Sequence, residues 1–143
     1  MIKPKPKKGR GFTLIEVLIG MALIGAAVLG LAELFTLALL QNRQADRIAN
    51  ATFLAQQEVD SIRNMTLPEI SALGGLSIDE PIDTNGDGVY DYRRVSQIVN
   101  TGSLWDVRVM VFSAEQLGTP VNELIADPEG HKARAQIQTM ISR

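Results

Sequence analysis

The stretch GRGFTLIEVLIGMALIGAAVLGLAELF, residues 9–35, decides the architecture of this chain. It follows a basic, proline-broken start and is apolar nearly throughout, yet it holds a carboxylate, Glu16, close to its beginning. An ionisable side chain at membrane depth costs about 2.5–3.5 kcal/mol near the bilayer centre and less near a face. Such a group normally has a partner, and the partner of Glu16 defines what the protein does.

The surroundings narrow the choice. The chain has 143 residues and a formal net charge of −2. Residues 1–11 carry Lys3, Lys5, Lys7, Lys8 and Arg10 and no acid. Without them the remainder is acidic, which argues against nucleic acid as a partner of the folded part. No cysteine is present, so disulfide frameworks and thiol chemistry are excluded. His131 is the single histidine, which leaves histidine metal sites and catalytic triads almost nothing to work with. No grouping of Asp and Glu residues has a supporting base, nucleophile or pocket motif, so an enzyme is not expected.

From Phe12 to Leu40 the only charged residues are Glu16 and Glu33. Counting from Phe12, the apolar run reaches about 20 residues, enough for a membrane span. The basic leader stays in the cytoplasm, so the C-terminal part is expected outside it. At about 1.5 Å per residue, Glu33 lies roughly 32 Å beyond Phe12, at the far face of the bilayer. A secretory signal peptide would share the basic start, but the apolar run is too long and no small-residue cleavage site follows it. A plain membrane anchor accounts for the apolar run and leaves Glu16 unexplained.

Gly11-Phe12-Thr13-Leu14-Ile15-Glu16, followed by the apolar run, resembles the class III leader junction of type IV pilins and type II secretion pseudopilins. The resemblance implies that a prepilin peptidase cuts after Gly11, that the new N-terminal Phe12 is N-methylated, and that Glu16 serves in assembly with other pilin or pseudopilin subunits. The chemistry is reasonable on its own terms. Cleavage creates an α-amino group with an ordinary pKa of about 7.7–8.0, largely cationic at neutral pH. A carboxylate four residues along can meet the amine of its own chain or that of a neighbour, and the helix dipole favours it in a first turn. The family also implies a single-pass protein of the bacterial cytoplasmic (inner) membrane that moves into a pilus or pseudopilus.

No proline interrupts residues 12–64, which read as one helix roughly 80 Å long. Beyond Leu40 it turns amphipathic. Ile48, Thr52, Ala55, Val59 and Ile62 form one face, with Arg43, Arg47, Glu58, Asp60 and Arg63 mostly off it. Arg43 and Arg47 are placed to touch lipid phosphates, a solvated face or another subunit. Pro68 and Gly74-Gly75 break the pattern. Trp105, Val107, Val109 and Val111 alternate with Asp106, Arg108, Met110 and Phe112, and Ala133 to Ile141 alternates likewise. Tyr90 to Val99 is a weaker strand, and Trp105 is expected in the core. The expected fold is α+β and pilin-like: a long N-terminal helix packed against a small antiparallel sheet of three or four strands. The corresponding divisions are a leader at 1–11, a transmembrane or filament-core half-helix at 12–40, an amphipathic half-helix at 41–64 and a sheet region at 65–143.

Asp83, Asn85, Asp87, the Val89 carbonyl and Asp91, with Gly88 in the turn, follow the first nine positions of an EF-hand loop. The closing glutamate is missing, since Arg94 stands in its place, and no flanking helices are expected. Calcium at this loop is therefore a candidate and not a requirement, against a plain polar hairpin turn. The expected function is a minor pilin, the alternatives being a minor pseudopilin of type II secretion and a membrane-anchored calcium-dependent binding module. Glu33, where many major pilins have proline, and the lack of a C-terminal disulfide loop favour a minor component.

Overall fold

The computed structural model describes residues 12–142. A long helix, α1 (Leu14–Asn64), is followed by a short helix, α2 (Leu67–Leu73), and strands β1 (Ser77–Ile82), β2 (Tyr92–Asn100) and β3 (Leu104–Ser113). A 3-10 turn at Ala114–Gln116, helix α3 (Val121–Ala126) and strand β4 (Ala135–Ser142) complete the chain. The strands form one antiparallel meander in the order β1-β2-β3-β4. The fold is α+β, a long helix with a four-stranded antiparallel sheet, consistent with the pilin fold.

The chain divides into two compact units after Asn42. In the described part of the first unit, α1 carries leucine, isoleucine, valine and methionine around its whole circumference, and none of its residues is buried. A helix that is apolar all round needs lipid or other helices about it.

In the second unit α1 is amphipathic, and Ala51, Leu54, Ala55, Val59 and Ile62 are buried. They pack with Tyr92, Ile98, Trp105, Val107, Val109, Val111 and Ile141 of the sheet and with Ile70 of α2. Each fully buried Val or Ile contributes about 1.5–3 kcal/mol. The buried stripe begins at Ala51, not at Ile48. Ile48 is 42% exposed and Thr52 is half-buried, its hydroxyl donating to the Ile48 carbonyl at 2.8 Å. The helix turns Ala51 and Leu54 to the sheet instead. Tyr92, the first residue of β2, still reaches back to donate its hydroxyl to the Arg47 carbonyl at 3.3 Å.

Glu58, expected off the buried face, is drawn into it. Arg94 Nη2 lies 3.0 Å from Glu58 Oε2, with the two side chains only 12% and 13% exposed, and also pairs with Glu80 of β1. One guanidinium thus joins helix, β1 and β2.

Met110 and Phe112 fall on the outer face of β3, as the alternation requires, but they are fully buried. With Val95 and Leu124 they make a second core under α3. Beside it Arg93 donates to both carboxylate oxygens of Asp79, each at 2.8 Å, and to the carbonyls of Gln116 and Thr119. That buried fork ties edge strand β1 to the segment entering α3.

Candidate functional site

Phe12 is 82% exposed, and α1 begins two residues later. The first turn is closed by Thr13. Its carbonyl accepts the N–H groups of Glu16 at 3.1 Å and Val17 at 3.3 Å. Its hydroxyl oxygen also accepts the Glu16 N–H, at 3.4 Å. Helix starts leave N–H groups without intrahelical acceptors, and a threonine cap supplies one. The cap went unread in the sequence, although threonine followed three residues later by glutamate is a recognised start signal.

Glu16 therefore sits in the first turn, where the helix dipole favours a carboxylate. Its side chain is exposed and makes no hydrogen bond or ion pair among the described residues. Gly11, the expected cleavage position, lies outside the described residues, as does the rest of the 1–11 leader. From Phe12 to Leu40 the large apolar side chains stand open, Phe12, Leu14, Leu29 and Phe35 among them. Among the described residues this is the one helix long and apolar enough to cross a membrane. Glu33 is exposed within it. The chemistry on offer is a free carboxylate at the start of an apolar rod, beside a chain position where an amine would arise on cleavage.

The loop between β1 and β2 is closed by its own side chains. Asp83 Oδ1 accepts from Gly86 N–H at 2.7 Å and from Asn85 N–H at 3.2 Å, and Oδ2 accepts from Gly88 N–H at 2.8 Å. These bonds, that from Gly88 foremost, hold the Asp83 carboxyl below the usual carboxylate range. Asp87 accepts the Val89 N–H at 2.8 Å and the Asn85 side-chain amide at 3.0 Å. Asp91 accepts the Thr84 N–H at 3.0 Å and the Thr84 hydroxyl. Gly86 and Gly88 have φ of 73° and 85°, the left-handed region that glycine enters without strain. Arg94, at the place of the missing glutamate, is turned to Glu58 and Glu80. Among the described residues no three His, Asp or Glu side chains are gathered so as to hold a metal ion. In this arrangement both oxygens of Asp83 and Asp87, and Oδ2 of Asp91, face amide or hydroxyl donors.

Residues 6–32 match the family model described as the prokaryotic N-terminal methylation motif. The match spans Gly11, Phe12 and Glu16 and most of the apolar run. No curated protein matches the chain, and neither does any solved structure.

Proposed function

With residues 6–32 marking it as one of the type IV pilin and pseudopilin family, we propose that this chain is a minor pilin, a structural subunit of a type IV pilus and not an enzyme. A prepilin peptidase cuts after Gly11, and the Phe12 amine is N-methylated. The apolar half of α1 first crosses the inner membrane, with the C-terminal unit outside the cytoplasm. It then leaves the bilayer to pack among the same helices of neighbouring subunits.

The observation that carries this reading is the placement of Glu16. It stands four positions from Phe12, in the first turn of a helix whose apolar side chains up to Leu40 are uncovered among the described residues. In lipid or in a bundle of such helices, an isolated carboxylate is costly. A neighbour's N-terminal amine, cationic at neutral pH, removes that cost at one axial register only. The pair therefore selects register as well as attraction.

The test is Glu16→Leu in the native envelope, followed by recovery of sheared filaments. Cleavage after Gly11 and membrane insertion are expected to persist, while the subunit disappears from the filament fraction. Incorporation at the unsubstituted level would overturn the reading.

A further inference from the structure

Within the second unit a cavity of about 250 Å³ is lined by Arg47 of α1, Tyr90 and Asp91 ahead of β2, Ser113 at the end of β3, Glu115 after it, and Arg134 ahead of β4. Two arginines and two acidic residues are among those lining this space, and none of the four forms an ion pair among the described residues. Arg47 and Arg134 also have no side-chain hydrogen bond there, although Arg134 is half-buried. Asp91 uses only Oδ2, towards Thr84. Charges of opposite sign, two and two, held apart around one cavity are complementary to a molecule with an anionic end and a cationic end.

Size and chemistry define that molecule. At about 250 Å³ the cavity is near the lower end of the roughly 300–1,000 Å³ usual for small-molecule sites, so it suits a headgroup and not a whole lipid. Arginine forks fit the oxygens of a phosphate, and charge-assisted bonds of this kind are the strong ones. Carboxylates fit an ammonium, which has three donors. Position in the chain gives the source: Arg47 follows Leu40, the end of the membrane-length apolar run, by seven positions.

We propose that this cavity binds the headgroup of a zwitterionic phospholipid, a phosphodiester bearing a primary ammonium, with Arg47 and Arg134 on the phosphate and Asp91 and Glu115 on the ammonium. The site holds the C-terminal unit to the membrane surface before assembly. It requires an anchored chain and does not depend on which filament the chain joins.

The experiment follows the backbone amides of Ser113 and Glu115 by NMR in the full chain in non-ionic detergent micelles. Glycerophosphoethanolamine is expected to shift them saturably, and inorganic phosphate to bind about tenfold more weakly or not at all. Arg134→Ala should weaken the ethanolamine diester about tenfold. Glu115→Gln should weaken it while leaving glycerophosphoglycerol, which lacks the ammonium, unchanged. Since Glu115 is exposed, that variant keeps its fold and carries the test even if Arg134→Ala does not. Nanodiscs of phosphoethanolamine lipid should shift the same amides. Absence of saturable shifts, equal binding of inorganic phosphate, indifference to Glu115→Gln, or response to the soluble diester but not to the nanodisc lipid would each overturn the proposal. Loss of Glu16-dependent assembly alone would leave these shifts untouched, so the two readings fail separately.

Discussion

Arg94 of β2 lies 3.0 Å from the Glu58 carboxylate of α1, and it is the one cation shared by the helix and the β1–β2 hairpin among the described ion pairs. Both side chains are largely shielded, so removing either leaves a charge with poor solvation. Glu80, 51% exposed, keeps a second carboxylate near the guanidinium and softens the loss of Glu58. Glu58→Ala is expected to cost about 2–3 kcal/mol, below the full cost of breaking a buried pair. Arg94→Met should cost more, because it leaves two carboxylates facing each other. Urea unfolding of both single variants and the double variant checks this, with a coupling energy of at least about 1 kcal/mol expected.

The only tryptophan reports on the helix–sheet core. Gly74, at the end of α2, lies so close to Trp105 that a Cβ added there would come 2.6 Å from the ring. Gly74→Ala must therefore displace the indole. The expected cost is about 1–3 kcal/mol, the range for overpacking. A red shift of the fluorescence should accompany it, since Trp105 is 7% exposed at present. Unchanged emission and stability would show that the ring is less constrained.

Asp83 gives the β1–β2 loop a pH dependence of known sign. Its folded pKa is depressed by the Gly88, Gly86 and Asn85 amides. A depressed carboxyl contributes stability that is fully present above its unfolded pKa, about 3.9, and is lost as pH falls through the lowered folded value. The Gly86 and Gly88 amide shifts should therefore be flat between neutral pH and about pH 5 and move together below about pH 4. Asp83→Asn should abolish that acid-side step.

Calcium makes a separate test of the same loop. Asp83, Asp87 and Asp91 are each bonded to donors of the loop itself. The melting temperature of the full chain is expected to be unchanged by about 1 mM calcium, the scale of weak extracellular sites. An upward shift lost in Asp87→Asn would show instead that these oxygens exchange their donors for the ion.

Much of this architecture was legible because it rests on local periodicity. The unbroken run to Asn64, the stripe Ala55, Val59 and Ile62, and the alternation of β3 and β4 each follow from one element's own burial. What was not legible depended on a partner element. β1, Ser77–Ile82, carries Asp79, Glu80 and Pro81 and lacks a strand's alternation; it becomes a strand through pairing with β2 and the Arg93–Asp79 fork. α2 was hidden behind Pro68, yet proline in a first turn suits a helix start, and Glu69 accepts the Thr66 N–H at 2.6 Å. Met110 and Phe112, apolar on the face opposite Trp105, signalled burial on both sides of β3, which α3 supplies. At the N-terminus the sequence motif located Glu16, while the partner proposed for it, an amine made by cleavage, is not a group that folding of the chain alone supplies.

In the proposed function Glu16 pairs with a newly made N-terminal amine. Mass spectrometry of the protein taken from its native envelope decides this. A chain beginning at N-methylated Phe12 and lacking residues 1–11 is expected, with Gly11→Ala leaving the leader attached. A native protein that still carries Met1 to Gly11 would contradict it.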